Sequence, residues 1–266
     1  MGSNSESGHV KNISTFEALI NIILSFGSTY NPFKTTLKTA TLNTLLTNAQ
    51  SAMTTLRNAK TNFDTATNAR EIAMLYLNKL ITKLFNILSS TDASPQTIDN
   101  ARAILKKFRG TRAKKIVKTA NTDTTTTPTS EEGGTTSVEG GETTETKTPK
   151  THSVSQRSVD YQIEHFSQFV SLLAAEPKYA PNENEFKVNT LNTLITDLKA
   201  KNTSVISAAT ALMTARLNRD KILYELSTGL VDTAKAVKLY VKGLYGQTST
   251  QFKSISKLVF RRIKYN

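Results

Sequence analysis

The chain has 266 residues, 38% of them hydrophobic, with 34 Lys and Arg against 21 Asp and Glu, a net charge of +13 and a pI near 9.8. It contains no cysteine and no tryptophan, which excludes disulfides, thiolate chemistry and cysteine metal sites. No stretch approaches about 18 consecutive apolar residues, so no transmembrane helix is expected, and Met1 to Asn12 lacks a basic start leading into an apolar run, so no secretory signal and a cytoplasmic location are expected.

Residues 1–13 read as a polar, disordered tail. A first helix is predicted from Ser14 to Phe26. Ser14 and Glu17 have capping-box spacing and Gly27 can end the helix. Phe16, Leu19, Ile20, Ile23 and Leu24 fall on one face. The chain then turns at Tyr30-Asn31-Pro32. From Phe33 to Ser90 there is neither Gly nor Pro. Positions 42, 45, 49, 52, 56, 59, 63, 66, 70, 73, 77, 80, 84 and 87 alternate by three and four, and all but Arg70 are apolar. That is a heptad seam on one long helix, which would span roughly 85 Å at about 1.5 Å per residue. Ser94-Pro95 then reads as N-cap and first residue of a short helix with Ile98, Ala101, Leu105 and Phe108 on its face.

Residues 119–156 hold almost no large apolar side chain, and Thr119 to Lys150 carries six carboxylates against two lysines. Such a segment cannot bury enough surface to offset its ordering entropy and reads as a disordered Thr-rich acidic tether. The sequences on either side of it match. Tyr30-Asn31-Pro32 corresponds to Tyr179-Ala180-Pro181, and Thr41-Leu42-Asn43-Thr44-Leu45-Leu46-Thr47 to Thr190-Leu191-Asn192-Thr193-Leu194-Ile195-Thr196. Arg70-Glu71 corresponds to Arg219-Asp220, and Leu77 to Leu226. All share an ungapped offset of 149. The chain is therefore read as duplicated, with helical repeat A at 14–118 and helical repeat B at 157–266.

Repeat B carries the first-helix face on Phe166, Phe169, Val170 and Leu173. Its seam runs through Leu191, Leu194, Leu198, Val205, Ala208, Leu212, Ala215, Ile222 and Leu226, with lapses at Lys201, Arg219, Gly229 and Thr233 and a kink expected near Gly229. Gly243 to Gly246 ends the long helix, and Phe252, Ile255 and Val259 form the last face. The fold class expected is all-α: an internally duplicated, elongated helical bundle. Two long antiparallel helices would be flanked by short ones about a pseudo-twofold axis, the first short helix of one repeat meeting the last of the other. The rival is a pair of separate three-helix bundles, each long helix being broken near residue 60 or 209.

Few residues invite chemistry. Arg70 and Arg219 occupy equivalent seam positions, where a buried guanidinium needs a carboxylate or carbonyls. They read either as an anion site or as paired arginines fixing the register. Lys106, Lys107, Arg109, Arg112, Lys114, Lys115 and Lys118 follow the short helix of repeat A. Lys253, Lys257, Arg261, Arg262 and Lys264 close repeat B, with Phe260 and Tyr265 between them. Such clusters suit polyanion contacts with nucleic acid or an anionic surface, or simply helix C-termini. His9, His152 and His165 are scattered. No Glu-x-x-His pair, Walker loop or Gly-x-Gly-x-x-Gly is present, so neither an enzyme nor a metal or other cofactor is expected. Asn12-Ile13-Ser14 and Asn202-Thr203-Ser204 match the glycosylation sequon. The function expected is structural, with a protein partner or self-association.

Gly229-Leu230-Val231-Asp232, then Tyr240-Val241-Lys242-Gly243-Leu244-Tyr245-Gly246 and Ser249-x-Gln251-Phe252-Lys253, resemble a group of helical bacterial proteins, largely from the Bacteroidetes. These share a Gly-Leu-Val-Asp run followed by a Val-Lys-x-x-Phe-Gly-x-x-Ser-x-x-Tyr-Lys run. This chain departs at Leu244-Tyr245-Gly246 and has Phe252 where Tyr is usual. The resemblance covers about 35 residues of repeat B and implies an all-helical fold, with no activity attached.

Overall fold

A computed structural model describes residues 4–110 and 158–263. Among them there are seven α-helices and no strand: α1 (Asn4–Leu24), α2 (Thr39–Ser89), α3 (Pro95–Phe108), α4 (Val159–Ala175), α5 (Val188–Tyr224), α6 (Leu230–Tyr245) and α7 (Thr250–Ser256). The chain is an all-α bundle. The expected tether lies outside the described residues.

The long helices are rich in Thr and Asn, which rank low as helix formers because their side chains compete for backbone bonds. Here the hydroxyls turn back onto the preceding turn instead. Thr44, Thr47, Thr54, Thr61, Thr193 and Thr210 each donate to the carbonyl four residues earlier, at 3.0–3.2 Å. The polar groups are thereby satisfied within the helix, and packing of the seam sets its length.

The chain divides into two compact units that cut across the repeats: residues 1–77 with 196–266, and residues 78–195. In the first unit α1 packs on α6 and α7, so the opening helix of repeat A meets the closing helices of repeat B. Phe16, Leu19, Ile20 and Ile23 of α1 share a core with Leu42, Leu46 and Ala49 of α2, Leu223 of α5 and Leu230, Val231, Ala234, Val237 and Val241 of α6. Leu24, placed by periodicity on the same face, is exposed, because α1 ends there. Further along, Leu56 packs with Leu212 and Ala215, and Arg70 reaches Asn202. These pairings run antiparallel. They bracket the level at which residue 60 lies alongside residue 209, its own counterpart at the offset of 149. Both helices pass through that point unbroken, so the rival three-helix geometry does not form.

In the second unit α3 packs on α4, the closing helix of repeat A on the opening helix of repeat B. Ala101, Leu105 and Phe108 face inward from α3, and Phe166, Phe169, Val170 and Leu173 from α4. Ser94 caps α3, its hydroxyl accepting from Thr97 N–H at 3.1 Å, with Pro95 in the first turn. Lys83 of α2 lies 3.6 Å from Glu185 and 6.0 Å from the centre of the Phe186 ring.

The duplication is visible atom by atom at the turn before each long helix. Tyr30 Oη donates to the Leu37 carbonyl, and Tyr179 Oη to the Phe186 carbonyl, both at 2.8 Å. The acceptors end equivalent 3-10 turns, Thr35–Leu37 and Asn184–Phe186. Burial pushes both phenols up, Tyr30 with help from Tyr240, and Tyr179 to about 12 with help from Glu183.

Three local expectations are corrected. The helix start at Ser14 and the tail over 1–13 give way to a helix from Asn4, within which Ser14 donates to the Val10 carbonyl. Buried His9 and Asn12 extend the inward face of α1 by another turn. Leu226 leaves the seam and is 74% exposed, because α5 stops at Tyr224. Val259 is likewise exposed, since α7 ends at Ser256.

The kink expected near Gly229 is a full break. Gly229 stands where repeat A has Leu80, inside continuous α2. Ser227 adopts φ 66° and Gly229 serves as the N-cap of α6. A Cβ on Gly229 would sit 2.6 Å from the Glu225 nitrogen and 2.7 Å from its carbonyl oxygen, closer than any relaxed side-chain contact. Gly229→Ala is therefore expected to cost about 1–3 kcal/mol of stability in urea unfolding; a variant as stable as the parent would contradict this account of the break.

Candidate interaction surface

Arg70 and Arg219 do not form one site. In the antiparallel register each lies ten residues from the 60/209 crossing, on opposite sides, which separates them by about 30 Å along the helices. Arg70 is half-buried and donates from Nη1 to Asn202 Oδ1 at 3.1 Å. Arg219 is buried, and its Nε and Nη2 both reach Asp220 Oδ1 at 2.9 Å. The neighbouring carboxylate compensates the buried charge.

Near Arg219 lies a polar cluster that periodicity of apolar residues alone misses. The Tyr224 hydroxyl is 2.7 Å from His9 Nδ1 and accepts from Asn12 Nδ2 at 3.2 Å. Asn12 Nδ2 also donates to the Arg261 carbonyl at 2.8 Å, and Arg261 N–H donates to Asn12 Oδ1 at 3.1 Å. One side-chain amide thus pairs with both backbone groups of a residue in the extended C-terminal segment. Burial raises the Tyr224 phenol, partly offset by the Asn12 bond; Asp220 adds to the rise and Arg219 opposes it. The signal for the cluster was present as the spacing His9, Asn12, Ile13, Phe16, once polar residues are admitted to an inward face. Phe260 meets Phe16 edge-on at 6.5 Å, and Lys238 donates to the carbonyls of Ser256 and Leu258. Burial lowers the Lys238 ammonium. The network ties the C-terminal segment to α1 and α6. Both sequon asparagines, Asn12 and Asn202, are buried.

The basic residues are divided between the units. In the second, Lys106 and Lys107 are exposed in the last turn of α3, and Arg109 donates to Thr82 Oγ1 at 2.9 Å. In the first, Lys257 is exposed, as is Arg261, whose backbone Asn12 holds. Arg262 pairs with Asp232 at 2.6 Å. Burial works to raise the Asp232 carboxyl, but hydrogen bonds from Arg262, Lys235 and the Ser227 N–H outweigh it and hold the group below its usual range. Arg112, Lys114, Lys115 and Lys264 lie outside the described residues. Arg109 and Arg262 thus serve the fold at least in part.

Folding leaves large apolar side chains exposed on α2, at Ile72, Leu75 and Tyr76, and on α5. Ile206, Met213 and Leu217 are 57%, 62% and 60% exposed. Their spacing of seven and four places them on one stripe, away from the buried Val205 and Leu212 side. An open groove of about 630 Å³ adjoins the stripe, lined by Thr55 of α2 and, on α5, by Ile206 of the stripe itself with Ser207, Thr210, Ala211, Thr214, Ala215 and Asn218. No charged residue occurs from Asn202 to Ala215. The matching stripe of repeat A reads Arg57, Asp64 and Asn68, with Lys60 and Asp64 paired at 2.6 Å. Two equivalent helix faces thus differ in kind, one charged and one apolar.

Among the described residues no group of three His, Asp or Glu side chains could hold a metal ion, and no helix is long and apolar enough to cross a membrane. Comparison with protein-family models, with curated proteins and with solved structures gives no match.

Asn12→Ala removes the amide that joins Arg261, Tyr224 and α1. It is expected to cost about 1–3 kcal/mol and to speed amide exchange at Arg261 more than elsewhere. Exchange at Arg261 unchanged from the parent would show that the C-terminal segment is held by other means.

Proposed function

We propose that this chain is a non-enzymatic interaction protein, a helical bundle whose α5 face docks another helix. The observation that carries the reading is the contrast between repeats. Repeat A builds its half of the α2–α5 pair with Arg57, Asp64 and Asn68 on the outer stripe, so the fold does not require that stripe to be apolar. Repeat B nevertheless carries Ile206, Met213 and Leu217 there, more than half exposed. Contiguous apolar patches beside a groove are features of binding surfaces. A rigid helix with large side chains at positions i, i+7 and i+11 presents the spacing by which a second helix is held. The buried polar cluster and the arginine pairs act in the same direction, fixing α1, α5 and the C-terminal segment so that the stripe is held in place.

The triple variant Ile206→Lys, Met213→Glu, Leu217→Lys is expected, in dilute solution where no association occurs, to keep the helicity of the parent and its stability within about 1 kcal/mol. A loss above about 3 kcal/mol would place these side chains in the folding core and overturn the reading.

A further inference from the structure

We infer that the helix docked on the α5 stripe is α5 of a second copy of this chain, in an antiparallel, twofold contact. The inference rests on the docking reading above and names the partner.

Charge comes first. A chain with a net charge of +13 repels its own copies over most of its surface. Contact between copies is least opposed where neither presents a cation. The run from Asn202 to Ala215 has no charged residue, and Lys201 and Arg216 bound it. A partner of opposite charge would be better met by a basic face, as on the exposed end of α3, than by the uncharged middle of α5.

Shape favours the same contact. A twofold contact requires a surface that complements itself. The stripe offers large side chains, and the groove that Ile206 borders carries small ones on the same helix, Ser207, Thr210, Ala211 and Thr214. The Thr210 hydroxyl donates to the Ile206 carbonyl at 3.0 Å, so its polar atom is turned back and its methyl faces outward. With a twofold axis at Thr210, Ile206 of one copy meets Thr214 of the other, and Met213 meets Ser207. Each large side chain then falls opposite a small one, which lets two helices approach closely without a cavity. Because both copies use the same patch, the contact closes as a dimer and does not propagate as a filament.

The absence of native cysteine makes the test clean, because any thiol is the one introduced. The full-length chain is expected to rise from monomer to dimer mass with concentration in sedimentation equilibrium, while the triple variant stays monomeric. Thr210→Cys, at the axis, is expected to form an intermolecular disulfide much faster than Leu217→Cys, whose two thiols would lie far apart in this register. A parent that remains monomeric at every concentration overturns the second copy as partner. If the triple variant is still fully folded in that case, the docking surface itself survives. Equal rates of disulfide formation at the two positions indicate random encounter and overturn the twofold contact.

Discussion

The register between α2 and α5 is the constraint on which the first unit depends. In a duplicated chain whose long helices pack antiparallel, a residue faces its own counterpart at one point only. Here that point is residue 60 against residue 209, between the pairing of Leu56 with Leu212 and that of Arg70 with Asn202. Away from it, equal positions in the two repeats have different neighbours. Arg70 finds an amide acceptor in Asn202. The repeat-A counterpart of Asn202 is Met53, which supplies no amide oxygen, and Arg219 is compensated by adjacent Asp220. The duplicated sequence thus folds into a pseudo-symmetric pair whose side-chain solutions diverge position by position.

The same arrangement explains why the compact units do not coincide with the repeats. An opening helix is apolar on a face that its own repeat leaves uncovered; α1 is covered by α6 and α7, and α4 by α3. Neither repeat is complete without the other, which is the general condition of structural repeats that bury their faces on neighbours. Repeat B has diverged furthest after Tyr224. There Gly229, in place of Leu80, turns one long helix into α5 and α6, and α6 brings Leu230, Val231, Ala234, Val237 and Val241 into the core around α1.

Much of this was legible in the sequence. The three-four spacing marked α2, and the offset of 149 foretold the equivalent Tyr30 and Tyr179 turns. Antiparallel closure followed from the need to cover two apolar helix faces. What escaped was polar. His9 and Asn12 look like a tail to any method that counts apolar residues, yet the hydroxyl of Tyr224 and the backbone of Arg261 make them inward-facing. The significance of Ile206, Met213 and Leu217 was also hidden. A seam is recognised by what it buries, and these residues lie off it. Only the packed pair shows that nothing in the first unit covers more than half of each, while their repeat-A counterparts are charged or polar.

Because the chain has no cysteine, pairs of spin labels can be placed at will, and distances between them test the register directly. Labels at positions 70 and 202 are predicted to lie at short range, across one helix–helix contact, and labels at 70 and 219 at about 30 Å, the length of twenty helical residues. A shorter distance between 70 and 219 than between 70 and 202 would mean that the repeats lie side by side in parallel, and would contradict the account.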